Sequence, residues 1–279
     1  MMRTVVRAAP LRWFGGKQSG GKADWIAGIL PWCSDSVYCE PFGGMMSVLL
    51  RRMAVKCEIF NDLNMDVVNW WRVVREDRDR FGRMVEATPH SRVEFERACE
   101  ILSGEFKWGT DRAWAFHTVV CQDIASSPER QYWASTKSVS AGSMGRWRSE
   151  RVGWLAERVW NVQLECRDGL DLLEWMQDQP DAVIYCDPPY YSSHTKLYRH
   201  GDVDQARMGE LLLGQKGKVA VSGYGDEWDG LGWVRYERES AFSGVGKSMS
   251  KKESEMPRVE VLWCNYQPEQ ERKSLTLFD

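Results

Sequence analysis

The 279-residue chain is predicted to be an α/β protein, a mostly parallel sheet with a reversed edge and an all-helical insertion. Three observations predict it. Short apolar runs, several closed by an acidic residue, alternate with segments of helical period; a long stretch from Asp66 has no strand pattern; and the last apolar runs read as an antiparallel pair. The length suits one large domain or a core with an inserted subdomain, and 43% hydrophobic with 28% charged residues provides a sizeable core. The net charge of -3 argues against wholesale polyanion binding but leaves room for a local basic face. Cysteines 33, 39, 57, 99, 121, 166, 186 and 264 form no C-x-x-C pair, which points to buried free thiols in a reducing cytosol, not to disulfides or zinc. No stretch reaches the roughly 18 apolar residues of a membrane span, and residues 1–10 do not read as a signal peptide, so a cytoplasmic protein is expected.

In chain order, Leu11-Arg12-Trp13-Phe14-Gly15-Gly16-Lys17 pairs an aromatic residue and a lysine with two glycines that let backbone approach a ligand. A helix over 22–30 follows, stopped by Pro31. The strand Val37-Tyr38-Cys39 leads through Glu40-Pro41-Phe42-Gly43-Gly44 into an apolar helix over 45–53, the first βα unit of a nucleotide-binding sheet. Without G-x-G-x-x-G no pyrophosphate is implied, and Glu40 suits a cationic amino group such as a methionine-derived cofactor carries. A second strand, 57–60, ends in Asn61-Asp62, and an acidic residue there is placed for ribose hydroxyls. Helices are expected over 66–81, 91–102 and 111–125, with His117 as a core histidine. The segment 129–151 holds Arg130, Lys137, Arg146, Arg148 and Arg151 against Glu129 and Glu150, with Tyr132, Trp133 and Trp147 interleaved, a pattern suited to phosphate contact and base stacking.

The sheet resumes after a helix over 151–160. The strand 162–166 ends in Arg167-Asp168-Gly169, which sets Asp168 where an adenine amino group could be met; a helix over 170–177 follows. The strand Ala182-Val183-Ile184-Tyr185-Cys186 then closes in Asp187-Pro188-Pro189-Tyr190. The double proline ends the ladder and leaves a carboxylate and a carbonyl as acceptors for an exocyclic amino group, with Tyr190 to stack on the ring that carries it. Residues 191–202 read as a closing loop, 204–213 as a helix, 218–221 and 259–263 as strands, with a basic loop at Lys247, Lys251 and Lys252.

Taken together, LRWFGGK, EPFGG, NDLN, the Asp168 of RDGLDLL, DPPYY, SGY and VLWCNY occur in the order of the D12 class of adenine-N6 DNA methyltransferases, which includes the Dam enzymes; the chain resembles its phage and prophage members especially. The resemblance spans about residues 11–266. It implies a Rossmann-like S-adenosylmethionine-dependent methyltransferase sheet, residues 1–65 and 152–279, around a helical target-recognition insertion, residues 66–151. It implies that Trp13 and Lys17 touch cofactor, that Glu40, Phe42 and Gly44 line its methionine and adenosine pocket, that Asp62 binds ribose, and that Asp168 meets adenine. Asp187, Pro188, Pro189 and Tyr190 would hold a target adenine flipped out of double-stranded DNA, with Asp187 bordering the cofactor. Arg130, Lys137, Arg146, Arg148 and Tyr191 are assigned to DNA. The recognition region matches no family motif for a defined site, so no target sequence is implied. A monomer without metal is expected, in a bacterial or phage-infected cell, serving restriction-modification or phage defence. Cytosine-N4 methylation and a catalytically silent module that binds cofactor or DNA are the rivals; Asp187, where cytosine enzymes more often have Ser, weighs against the first.

Overall fold

The computed structural model describes residues 11, 13, 16–123, 132–134, 148–189, 203–240 and 258–268. Among these residues seven strands, β1 (Val37–Glu40), β2 (Cys57–Asn61), β3 (Val162–Glu165), β4 (Ala182–Cys186), β5 (Lys218–Tyr224), β6 (Val234–Ser240) and β7 (Arg258–Cys264), form one sheet in the order β3-β2-β1-β4-β5-β7-β6. The pairs among β1 to β5 are all parallel, and β7 runs antiparallel to both β5 and β6. The expected α/β architecture is thus present. The reversed strand, however, is not at the edge. It lies between β5 and β6, and β6 has no counterpart in the sequence reading because Val234-Arg235-Tyr236-Glu237-Arg238 alternates with charges on its open side and so resembles a polar connection.

The two-residue period of the strands assigns side chains to two apolar layers. Tyr38, Phe60, Val183, Tyr185, Ala220 and Leu262 join the larger cluster, with α1 (Lys22–Ile29), α2 (Met65–Glu76), α3 (Arg78–Ala87), α4 (Arg92–Ser103), α5 (Thr110–Gln122) and α6 (Ser149–Val159). Cys39, Ile59, Ile184, Cys186, Val221 and Trp263 join the other, with α7 (Gly169–Met176) and α8 (Gln205–Leu213). The helices between β2 and β3 therefore share one core with a face of the sheet. Continuing the alternation by one step puts Glu40, Asp187 and Glu260 on that same face, a fact that shapes the site.

Local chemistry explains where the helices begin and break. Asn64 caps α2 by accepting from the Asp66 amide at 2.9 Å, and Asp204 caps α8 by accepting from the Arg207 amide at 3.0 Å. The single helix expected over 66–81 is two: Asp77, at φ -132° and ψ 38°, interrupts it and its carboxylate receives the Thr110 hydroxyl. The helix expected over 45–53 is absent. Gly44 and Met46 both have positive φ, 49° and 50°, so the chain turns and tightens only into a single 3-10 turn at Leu49–Arg51. Of the eight free cysteines four are buried, but Cys33 and Cys166 are exposed, so the expectation of uniformly buried thiols is corrected. Among the described residues no helix is long and apolar enough to cross a membrane, and no group of three or more His, Cys, Asp or Glu is placed to hold a metal ion.

Candidate active site

Because β1 to β4 are parallel and adjacent, the segments that follow them share one rim of the sheet. The chain runs from β1 outward through β2 to β3 on one side and then crosses from β3 to β4 on the other side of β1, which makes the gap between β1 and β4 a switch point. Asn61, fully buried, ties the rim together: its amide donates to the Pro41 carbonyl at 2.8 Å and the Arg167 carbonyl at 2.9 Å, while its oxygen accepts from the Arg167 amide at 3.0 Å. The loops after β1 and β3 are thereby fixed to the end of β2.

Asp62 closes the glycine turn. Its two oxygens accept from the Gly44 amide at 2.9 Å and the Asn64 amide at 2.8 Å; burial pushes its carboxyl up to about 6, although both amides pull the other way. Gly43 has no alternative, since a Cβ there would stand 2.3 Å from the Phe60 ring. Trp13 covers Gly44, with its ring 5.5 Å from Phe116, and Phe42 reaches across to Gly169, where a Cβ would meet the ring at 2.5 Å. Asp168 caps α7, accepting from the Leu170 amide at 2.8 Å.

Glu40 is 2% exposed and accepts the Tyr38 hydroxyl at 2.7 Å, beneath an Arg52 guanidinium lying 4.3 Å over the Tyr38 ring. Burial raises its carboxyl to about 8, against the opposing pull of Tyr38, the Leu49 amide and Arg52. The folded chain thus retains a proton on Glu40 that the unfolded chain releases near 4.5, so this group's contribution to stability is present below that value and is lost as pH rises toward 8. Calorimetry of wild type and Glu40→Gln should show the wild-type melting temperature falling relative to the variant between about pH 5 and 8.5. A difference that does not vary with pH would show that Glu40 titrates as an ordinary carboxylate.

Across the switch point, Asp187 follows β4 and is held by Lys17. The Lys17 ammonium, 2% exposed, donates to Asp187 Oδ1 at 2.6 Å and lies 3.2 Å from Glu260 Oε1. Lys22 donates to Glu260 Oε2 at 2.9 Å. Burial favours the neutral amine, but the Asp187 and Glu260 carboxylates outweigh it and hold Lys17 well above the usual lysine range. Lys17, expected beside the cofactor, is an ion-pair partner of Asp187, which the sequence reading did not foresee.

The structure brings together Trp13, Phe42, Gly44 and Asp62 on the β1–β2 side, with Asp168 joined to them through Phe42, and Lys17 with Asp187 beside β4. Arg148 is exposed, with its Nε 3.9 Å from Glu86 Oε1 at the start of α6. Tyr190, Arg130, Lys137, Arg146 and Tyr191, together with the 191–202 loop and the basic residues Lys247, Lys251 and Lys252, lie outside the described residues. The stem of the basic segment is described: Tyr132 donates its amide to Asp123 at 2.6 Å, and Trp133 stacks on His90 with ring centres 5.3 Å apart. Sequence reasoning missed Asn61, Tyr38 and Glu260. The signal for Glu260 was present as a carboxylate inside the apolar run Val259-Glu260-Val261-Leu262-Trp263.

Residues 13–98 match the family model of the D12 class N6 adenine-specific DNA methyltransferases. That stretch, under a third of the chain, includes Trp13, Lys17, Glu40, Phe42, Gly44 and Asp62 and leaves out Asp168 and Asp187. No curated protein matches the chain. Similar solved structures include the rRNA methyltransferase AviRa from Streptomyces viridochromogenes, at 11% identity and TM-score 0.38 over 97% of this chain and 92% of that one. Another is the protein LPL1258 from Legionella pneumophila str. Philadelphia 1, at 12% identity and TM-score 0.32 over 93% of each chain. Both likenesses are too distant to bear on the site. On the side of β1 and β2, where the acidic turn is built, this chain is similar to D12 class N6 adenine-specific DNA methyltransferases.

Proposed function

We propose that the chain transfers a methyl group from S-adenosylmethionine to the N6 amino group of an adenine flipped out of DNA. The observation that carries this reading is the placement of Asp187-Pro188-Pro189 at the switch point, on the same face as the buried Glu40 and beside the turn that matches the family model. The donor set fits S-adenosylmethionine. Glu40 is a buried carboxyl whose ionised form a cationic methionine end beside it would favour, Asp62 can accept from ribose hydroxyls, and Asp168 can accept from an adenine amino group.

When bound, S-adenosylmethionine supplies a methyl carbon on a positively charged sulfur that is already a good leaving group. The residues of this chain do the positioning. The Asp187 carboxylate and the Pro188 carbonyl would accept the two amino hydrogens of the target and so direct its nitrogen lone pair toward the bound cofactor, and the proton that the nitrogen gives up on methylation would pass through the Asp187 carboxylate to water. Extracting the base from the duplex costs a few kcal/mol, offset by stacking on Tyr190 and contacts in the pocket. Arg130, Lys137, Arg146, Arg148 and Tyr191 would meet the DNA, and residues 66–151 would form the recognition part.

The test is tritiated methyl transfer to unmethylated duplex DNA, followed by nucleoside analysis. The expected product is N6-methyladenine. Label only in N4-methylcytosine, only in RNA, or in no nucleoside would overturn the reading.

A further inference from the structure

Four charged side chains from three distant segments alternate in sign through the buried side of the site. Asp187, after β4, meets Lys17, before α1; Lys17 meets Glu260 of β7; Glu260 meets Lys22 of α1. The contacts are 2.6, 3.2 and 2.9 Å, Lys17 and Glu260 are 2% and 0% exposed, and neither Glu260 nor Lys22 belongs to the methyl-transfer apparatus described above. Glu260 is also the register partner of Tyr224 on β5 and Arg238 on β6, and Arg238 donates to the Gly20 carbonyl at 2.9 Å, which fastens the turn between Lys17 and Lys22 to the sheet. A buried carboxylate in a central strand costs several kcal/mol of desolvation and is retained only where its partners offset that cost. Here the partners lead to Asp187.

We propose, resting on the methyl-transfer reading, that Glu260 is a positioning residue. With Lys22 it fixes the Lys17 ammonium, and through Lys17 it holds the Asp187 carboxylate in the one orientation that meets the target amino group. Glu260 touches neither cofactor nor base. Its effect therefore falls on turnover and passes through Lys17. Replacing it by glutamine removes one of the two carboxylates that keep Lys17 protonated, so the variant loses the Lys17 charge, and the hold on Asp187, at lower pH than wild type. Among the described residues, Tyr224 of β5, Tyr185 of β4, Glu40 of β1 and Arg238 of β6 also face this cluster.

The experiment uses the full chain as wild type, Glu260→Gln, Lys22→Met, Lys17→Met and the Lys17→Met/Glu260→Gln double variant. Glu260→Gln should lower kcat by about 100-fold, the loss typical of a misplaced reacting group, with cofactor Kd and DNA KM changed less than about threefold. Its kcat should fall at alkaline pH below the point where wild type does. Lys22→Met, at a less buried position, should reproduce a smaller loss. In the Lys17→Met background, Glu260→Gln should add less than about twofold. With ¹⁵N-labelled lysine, the Lys17 ammonium resonance should persist to about pH 10 in wild type and disappear at lower pH in Glu260→Gln. An unchanged kcat and pH profile in Glu260→Gln, or additive losses in the double variant, would overturn the proposal. Wild type that transfers no methyl group overturns the functional reading instead, and an unchanged Lys17 resonance in Glu260→Gln overturns the network whatever the activity.

Discussion

Asp187→Ala should lower methyl transfer by about 10³-fold or more, roughly 4 kcal/mol of transition-state stabilisation, while cofactor affinity stays within about tenfold. The side chain lies beyond the apolar end of β4, with its Oδ1 engaged by Lys17, so its loss removes the acceptor proposed for the target amino group without removing the Gly44–Asp62 turn proposed for the cofactor. Lys17 keeps Glu260 at 3.2 Å, so the variant does not strand a buried cation, and its fold should survive. Asp187→Asn, which retains one acceptor oxygen but no charge, should fall between wild type and alanine. Single-turnover kinetics and calorimetry together check this. Complete loss of cofactor binding in Asp187→Ala would move the carboxylate into the cofactor pocket, and full activity would remove it from the mechanism.

The second large effect is structural. Arg158 of α6 and Glu58 of β2 are both buried and meet through two contacts, 2.7 and 2.8 Å; the same guanidinium donates to the Leu49 carbonyl at 2.9 Å and the Arg52 carbonyl at 3.3 Å. Arg158→Met should cost about 3–5 kcal/mol, because Glu58 is left charged in the core and two carbonyls lose their donor. The carbonyls belong to the stretch of turns that also brings the Leu49 amide to Glu40, so the variant should bind cofactor more weakly as well. Adding Glu58→Met should recover much of the stability, since both charges then leave together. Denaturant unfolding of the two variants decides it: equal losses in single and double variants would show that the pair does not act as a unit.

Most of the fold was legible because the sheet writes its period into the sequence. Val183 and Tyr185 face one core and Ile184 and Cys186 the other, so β4 reads as an uninterrupted apolar run, which is the mark of a strand covered on both sides. The edge strand β6 was not legible, because only one of its neighbours is a strand and its charges give no apolar run. The absent helix after Gly44 has a different cause: Met45-Met46-Ser47-Val48-Leu49-Leu50 has helix-forming composition, but Asp62 and Trp71 take the Gly44 amide and carbonyl, and the turn they fix leaves Met46 at positive φ. Of the candidate site, the position of Asp62 and Asp187 at strand ends was legible. Asn61, Lys22 and Glu260 were not, since their roles depend on partners up to 238 residues away in sequence.

The position of β7 fixes the order in which the molecule can be completed as it leaves the ribosome. β5 and β6 are not paired with each other; each waits for β7, the last strand of the sheet to be synthesised. A nascent chain that has reached residue 240 therefore carries β6 with no neighbour and β5 with an open edge, both hazards for association with other chains. Lys17 and Lys22, made well before β7, have no Glu260 until that strand slides between the other two. The Lys22–Glu260 contact spans 238 residues of sequence, so the ion-pair cluster beside Asp187 is completed in a single late event and not by degrees during synthesis.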